Sequence, residues 1–446
     1  MKAGINTEKK VLIITYYWPP LGGSGVQRWL KFVKYLPEFG ITPYVFTPEN
    51  PSFDVRDESL ERDVPMEAEV IRFPIWEPYE LFFKLSGGRR EKQVNTPTRL
   101  VASEKKGLLQ RIATWVRGNI FIPDPRVFWV RPSVRFLSDF VKDVGIKTII
   151  TTGPPHSLHL IGYRLRKKNP SLRWVADFRD PWSEWGFLDS LGVGSFARRL
   201  HRMQERKVLE HADVITTITP FYVRRFEALS GKKVHLLTNG YDESDFENIA
   251  PEKTDHFVIR HVGIVNEKCN PRPFMEAVKQ AMTDNADFAS NVRIDFVGEV
   301  HSAFREFVES DDALRAITTF TPPVPHKQLI SMYNTSSVLL LVLEGYKDAE
   351  GYMPGKLFEY IATGLPVLGV GPENGDAAEL LRGCKCGPMI DAQKKDLIVT
   401  SLLGLHQRWK QGPQLSASNV YRRFSRRALT ERLVNEIIFA KDGKDQ

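Results

Sequence analysis

The sequence is poor in cysteine. Cys269, Cys384 and Cys386 are the only three in 446 residues. They make no disulfide framework, and their spacing fits no zinc site. Reduced thiols in a cytoplasmic protein are the expected reading. Long apolar runs are also missing. "VLLLVL" from Val338 is strand-sized, far below the roughly 20 residues that cross a bilayer as a helix. The opening "MKAGINTEKK" has no apolar core of a secretory signal, so none is expected. The net charge of +8 suits an anionic ligand, a membrane surface or nucleic acid. No zinc-finger, recognition-motif or basic-zipper pattern accompanies it, so nucleic acid is not expected. No acidic cluster has metal-binding spacing, and neither metal nor cofactor is expected. Short internal repeats are absent.

What is present is alternation. Short apolar runs take turns with amphipathic stretches, the pattern of parallel sheets covered by helices. Strands are expected at Val11–Thr15, Pro43–Thr47, Val70–Phe73, Thr148–Thr152, Trp174–Asp177, Val214–Thr219 and Val234–Thr238. A second series follows at Val258–Val262, Val292–Val297, Ile317–Phe320, Val338–Leu343 and Val367–Val370. "VQRWLKFVKYLPEFG" carries Val26, Leu30, Val33 and Leu36 at helical spacing. The polar stretch "ENIAPEKTDH" lacks any apolar period and reads as a linker. The expected fold class is therefore α/β, with two Rossmann-like doubly wound domains. They cover 1–248 and 257–446, joined by a linker at 249–256, with the last helix able to cross back to the first domain. The basic, apolar-poor stretch Lys84–Gly107 is expected to be a loop, and Lys84–Arg131 as a whole an insertion rich in Arg, Lys and aromatics.

Two stretches carry glycine beside candidate chemistry. "WPPLGGSGVQR" follows the first strand, and Gly23 and Gly25 begin a dinucleotide fingerprint whose third glycine position is Arg28. In "EGYMPGKLFEYIATGLPVLGVG", Pro354 and Gly355 end a loop and a helix begins. Lys356 and Glu359 share a face in its first turns. The free N–H groups at Gly355–Leu357, with Lys356, form an anion site suited to phosphate. Glu359, one turn deeper, can accept from vicinal hydroxyls, and phosphate beside ribose means a nucleotide. His156, in "GPPHS", follows a strand at the sheet edge where ligands bind; it is a candidate for donor-sugar contact or proton movement, ahead of His159. In "DFRDPW", Asp180 can orient an acceptor hydroxyl and Arg179 can reach an anion.

"PGKLFEYIATGLPVLGV" resembles the nucleotide-sugar signature of family-four glycosyltransferases, and "VLIITYYWPPLGGSGVQR" resembles their N-terminal strand and glycine loop. "TTGPPHSLHLIGYRLRKK" and "WVADFRDPWSEW" are similar to a bacterial subgroup of surface-polysaccharide and lipid-linked sugar assembly. "LLTNGYDESDF" matches the family's end of the first domain. The resemblance covers nearly the whole chain and is weakest over Lys84–Arg131. It implies the GT-B fold, two Rossmann-like domains facing a central cleft. It also implies transfer of a sugar, with retention, from a nucleotide-sugar donor to a sugar or lipid-linked hydroxyl acceptor. Gly22 and Gly23 would let the backbone approach the donor diphosphate. The family usually places two glutamates eight apart, whereas Glu350 precedes Glu359 by nine. Glu350 or a nearby backbone group is then the expected sugar contact. The family's arginine after the first strand of the second domain reads as Ile264, which leaves Lys268, or Arg272 in its place, as phosphate partner.

The expected catalytic residues are His156, Asp180 and Lys356. The expected donor-binding residues are Gly22, Gly23, Lys268, Arg272, Glu350, Gly355, Lys356 and Glu359. The positive charge at Lys356 and Lys268 would meet the charge that develops on the leaving diphosphate. The basic, aromatic block with Trp115, Phe121, Phe128 and Trp129 is expected to give weak affinity for an anionic membrane, so the protein would be cytoplasmic and peripheral on the inner face of the cell membrane. Two other readings stay open. One is an NAD-dependent or sugar-nucleotide-modifying enzyme with Glu49 as the ribose acid. The other is a noncatalytic nucleotide-sugar-binding subunit.

Overall fold

A computed structural model describes residues 9–53, 55–78, 108–184, 186–247, 249–343, 348–413, 415–416 and 418–439. The chain divides into two units, Met1–Thr238 with Leu429–Gln446, and Asn239–Ala428.

The first unit is built on a seven-stranded sheet in the order β3-β2-β1-β4-β5-β6-β7. The strands are β1 (Lys9–Ile14), β2 (Ile41–Pro48), β3 (Glu69–Phe73), β4 (Thr148–Gly153), β5 (Arg173–Phe178), β6 (Val214–Thr217) and β7 (Val234–Leu236). All pairings are parallel. Helices on both faces explain the unbroken apolar runs: Val11 to Ile14 are fully buried because neither face meets water. The order reverses between β1 and β4, so the carboxyl ends of those strands flank a crevice.

Helix α1 (Ser24–Tyr35) covers one face, burying Val26, Leu30 and Val33 completely. Each such side chain contributes roughly 1.5–3 kcal/mol. Pro37 cannot donate to an α-helical ladder, so the helix tightens into a 3₁₀ turn over Leu36–Phe39 and stops at Gly40 with φ 70°. Helices α2 (Leu108–Asn119), α3 (Ser157–Lys168) and α4 (Ser195–His211) follow. The C-terminal segment joins this unit: Leu429, Leu433, Val434, Ile437 and Ile438 pack in one core with Val11, Trp29 and Leu30.

The second unit holds six parallel strands in the order β10-β9-β8-β11-β12-β13. They are β8 (Phe257–Val262), β9 (Val292–Val297), β10 (Thr318–Thr321), β11 (Val338–Val342), β12 (Val367–Val370) and β13 (Met389–Ile390). The order reverses between β8 and β11. Helices α5 (Arg272–Asp284), α6 (His326–Tyr333) and α7 (Gly355–Thr363) matter for the site. The stretch 249–256, read from sequence as a linker, lies in this unit. Asn334 holds it, accepting from Ala250 N through Oδ1 at 3.1 Å and from Glu252 N through its carbonyl at 2.8 Å.

The loop Lys84–Gly107 lies outside the described residues. In the rest of the insertion, Trp129 corrects the expectation of an interfacial aromatic. It is buried, stacks on Phe46 at 4.9 Å and donates through Nε1 to the Pro74 carbonyl. Trp115 and Phe128 are exposed.

Candidate functional site

Each unit carries a cluster at its sheet's carboxyl edge. In the second unit β8 ends at His261 and Val262, and the chain turns at Gly263 with φ 131°. The positive φ favours glycine at 263, and a Cβ there would lie 2.9 Å from Lys356 Nζ and push the amine from its place. Lys356 Nζ donates to the Val262 carbonyl at 2.8 Å and lies 3.5 Å from His261 Nε2. His261 Nδ1 lies 3.0 Å from the Leu340 carbonyl, which can only accept. Nδ1 therefore carries the proton and Nε2 accepts from the lysine. Burial, then the lysine charge, holds His261 well below its ordinary range. Burial lowers the Lys356 amine to about 8.

Lys356 stands at the start of α7, which has no side-chain cap after Pro354. A Cβ at Gly355 would meet nothing within 4 Å, so the helix start is open. The Leu357 N–H, expected to be free, donates to the Pro354 carbonyl at 3.0 Å, so the N–H groups of Gly355 and Lys356, the positive helix end and the lysine form the anion site. Glu359 lies one turn on. Its Oε1 is 3.0 Å from His326 Nε2, and its Oε2 accepts from the Tyr333 hydroxyl at 3.2 Å. The structure thus brings Gly355, Lys356 and Glu359 together. Lys268 is exposed, its backbone N–H bound to Asn266 Oδ1. Arg272 is turned to its own helix: it pairs with Glu276 at 3.0 Å and lies 4.4 Å over the Phe307 ring. Glu350 is exposed in the 3₁₀ turn Ala349–Gly351. Sequence reasoning missed His326, Tyr333 and Gly263. Only Gly263 carried a signal, a glycine directly after a strand.

In the first unit Gly23 is the N-cap of α1 with φ 90° and nothing within 4 Å of a would-be Cβ. Gly22 differs from expectation. Its N–H is spent on the Val55 carbonyl at 2.8 Å, and a Cβ would crowd Asp57 at 3.1 Å. It fixes the loop on its neighbour, and the backbone open to a ligand begins at Gly23. Arg179 also differs from the anion contact expected of it. Its guanidinium, with burial lowering its pKa, donates to the Gly25 carbonyl at 3.0 Å, the Gly153 carbonyl at 3.4 Å and the Pro154 carbonyl. Arg179 thus ties the glycine loop to the loop that carries His156.

His156 is 5 % exposed and stacks on Trp182 with ring centroids 5.0 Å apart. Burial, with His159, His201 and Arg179, pushes its pKa well down; burial lowers His159 to about 3. Both rings are neutral near pH 7. A strongly depressed imidazole is a poor general base but a good neutral hydrogen-bond partner. Asp180 is half-buried, and burial raises its carboxyl against the pull of Arg179. That shift suits a proton acceptor.

Arg28, where a dinucleotide fingerprint would have its third glycine, is 1 % exposed. It forks onto Asp177 through Nε at 3.1 Å and Nη2 at 2.8 Å, and donates to the carbonyls of Leu237 and Thr238. Trp29, Thr152 and Thr216 also donate to Asp177. Burial pushes that carboxyl up, but Arg28 and these hydrogen bonds override it and hold it at about 2. Glu49, the ribose acid of the oxidoreductase reading, is exposed just past β2. The glycine-mediated helix–strand contact of that reading is replaced by a buried arginine.

Residues 22–240 match the glycosyl transferase 4-like domain. No curated protein matches the chain in sequence. Solved structures resemble nearly all of it. WaaG, a glycosyltransferase involved in lipopolysaccharide biosynthesis, is 14% identical, with 97% of this chain and 100% of WaaG covered and a TM-score of 0.56. A trehalose-6-phosphate protein from E. coli bound with UDP-2-fluoro glucose is 11% identical, with coverages of 96% and 98% and a TM-score of 0.57. A putative UDP-N-acetylglucosamine 2-epimerase from Listeria monocytogenes is 10% identical, with coverages of 96% and 95% and a TM-score of 0.54. These likenesses establish the fold, the two parallel-sheet α/β domains of GT-B glycosyltransferases. The glycosyl transferase 4-like domain contains the loop at Gly23, His156, Arg179 and Asp180. Lys356 and Glu359 lie beyond the match. Among the described residues no helix is long and apolar enough to cross a membrane, and no His, Cys, Asp and Glu cluster suits a metal.

Proposed function

We propose that the protein is a glycosyltransferase moving a sugar, with retention, from a nucleoside-diphosphate sugar to a hydroxyl acceptor in polysaccharide or glycolipid assembly. One observation carries this reading: the uncapped start of α7 with Lys356 in its first turn and Glu359 one turn deeper. Diphosphate takes the helix start and Lys356; ribose hydroxyls take Glu359. In the transfer, the bond from the anomeric carbon to the diphosphate oxygen breaks with its electron pair on that oxygen. A bond to the acceptor oxygen forms, and the acceptor proton leaves to Asp180 or to the departing phosphate. Lys356 stabilises the charge that develops. His156 hydrogen-bonds a sugar hydroxyl as a neutral ring, and the Gly23 loop offers backbone N–H groups to anionic oxygen. Lys268, Arg272 and Glu350 enter only with side-chain rearrangement upon donor binding.

The deciding experiment is a thermal-shift screen over nucleoside diphosphates and nucleotide sugars, followed by Glu359→Ala and Lys356→Ala. A ligand that binds only the native state raises its melting temperature. Loss of hydrogen bonds to a charged group costs roughly 1.5–3 kcal/mol of affinity. Unchanged nucleotide affinity in both variants removes the site from the proposal. The fold of the Listeria structure keeps a second reading, modification of the sugar nucleotide itself. Conversion of the sugar nucleotide without any acceptor supports that reading, and acceptor-dependent release of nucleoside diphosphate supports transfer. Binding without either reaction marks a noncatalytic subunit.

The membrane proposal rests on the exposed Trp76, Ile112, Trp115, Ile120 and Phe128 of the first unit, where Trp76 and Phe128 meet edge to face at 5.0 Å. Such aromatics beside basic residues suit reversible, salt-sensitive attachment to anionic lipid and a lipid-linked acceptor. Co-sedimentation with anionic liposomes at low salt is expected. A wild type that stays in the supernatant removes the membrane from the proposal.

A further inference from the structure

We infer that His326 and Tyr333 are positioning residues that aim the Glu359 carboxylate at vicinal hydroxyls. The inference rests on the nucleotide reading of α7 and adds the device that makes Glu359 selective. Each carboxylate oxygen has its own holder. His326 Nε2 meets Oε1 at 3.0 Å, and the Tyr333 hydroxyl donates to Oε2 at 3.2 Å. A carboxylate only accepts, so His326 carries a proton on Nε2. Its Nδ1 lies 3.9 Å from Asp245 Oδ2, so the ring sits between two carboxylates. Burial, then the Glu359 charge, raises the Tyr333 hydroxyl well above its usual range and keeps it a donor.

Both holders come from α6. His326 is its first residue and Tyr333 its last, seven positions and about two turns apart, on one helix face. The fork is therefore as rigid as the helix. Tyr333 is fully buried and meets Tyr360 of α7 edge to face at 5.9 Å. Glu359 itself keeps 22 % exposure, and its two other lone-pair sites remain for a ligand. Without these donors a glutamate near a helix start samples several rotamers and must be ordered on binding. With them the carboxylate is set before the ligand arrives, so the two hydroxyls of a ribose meet a fixed acceptor pair. A tie that merely joined α6 to α7 would change stability and leave the selectivity for those hydroxyls untouched.

The test compares UDP, GDP or ADP, whichever binds tightest, with its 2′,3′-dideoxy counterpart, by calorimetry on the full chain. Wild type is expected to prefer the ribonucleotide at least tenfold. His326→Ala and Tyr333→Phe are each expected to lower that preference at least threefold while dideoxynucleotide affinity stays within twofold. His326→Gln, which keeps a donor, is expected to recover part of it. Tyr333→Phe removes one oxygen from a packed ring and serves if the histidine variant does not fold. If both variants keep the wild-type preference while Glu359→Ala abolishes it, the positioning role is overturned and the nucleotide site stands. If Glu359→Ala also keeps it, the ribose reading of Glu359 fails first.

Discussion

Raising the pH should weaken nucleotide binding and make it take up a proton, because Lys356 loses its charge in the free protein. Burial brings the amine from 10.5 to about 8. A bound diphosphate restores the charged form, since an opposite charge within a few ångströms favours it. If the bound amine returns to about 10.5, affinity falls about eightfold between pH 7.5 and pH 9 by the ratio of the two titrations. The terminal phosphate, with its last proton lost near about pH 6, is fully charged over that range. At pH 9 about 0.9 proton should be taken up per nucleotide bound. Calorimetry in two buffers of different ionisation enthalpy reads both quantities. Lys356→Met should bind weakly, with neither the slope nor the proton. A wild type whose affinity is flat from pH 7.5 to 9 and which takes up no proton would refute the reasoning.

The same shift has a stability side. The folded amine is depressed, so the unfolded chain binds more protons between pH 8 and 10.5, and stability rises with pH across that window. Below it the buried charge costs about 3 kcal/mol at most. Lys356→Met should accordingly melt higher than wild type at pH 7 while losing the ligand, a site held at the expense of stability.

Three further outcomes are expected. Gly263→Ala places a Cβ 2.9 Å from Lys356 Nζ at φ 131°, and should cost about 1–3 kcal/mol of stability and most of the nucleotide affinity, read by denaturation and calorimetry. Asp177→Ala strands the Arg28 charge in the core and should destabilise by about 3–5 kcal/mol in chemical denaturation; in the wild type the Asp177 contribution, about 2 kcal/mol, is present above pH 4 and is lost as pH falls toward 2. Arg179→Lys replaces a fork that holds three carbonyls with a point charge, so turnover should fall at least tenfold while nucleotide affinity stays within twofold; equal losses in both would separate Arg179 from the chemistry.

The strands were legible because each sheet is covered on both faces, so its strands are written as continuous apolar runs. Met389–Ile390 escaped because two residues make no pattern. Lys356 and Glu359 were legible because their partnership is a helical spacing within one segment. The groups that hold them were not. His326 reaches Glu359 across 33 residues, and Arg28 reaches Asp177 across 149. Such contacts are set by which strand ends the topology brings together, and no local period records them. Trp129 shows the same limit from the other side. An aromatic beside arginines reads as interfacial until the sheet supplies Phe46 for it to stack on. The packing of Leu429, Leu433 and Ile438 against Val11 and Leu30 is likewise a contact between distant segments.

Arg28 explains why the glycine loop need not be a dinucleotide site. In the fingerprint the third glycine lets helix and strand pack closely, so that the helix start is fixed by contact. Here the start of α1 is fixed by charge. The guanidinium passes beneath the helix to Asp177 at the end of β5, and its remaining donors take the carbonyls of Leu237 and Thr238. A second arginine, Arg179, holds the Gly25 carbonyl from the outside of the same strand end. Gly22 is anchored to Val55, which leaves Gly23 as the point where backbone lies bare. The loop is thereby held on both sides of Gly23, at Gly22 by Val55 and at Gly25 by Arg179. Arg179, which also donates to the Gly153 and Pro154 carbonyls, couples this loop to the one that carries His156, while Arg28, at the position where the fingerprint fails, fixes the helix that follows the loop.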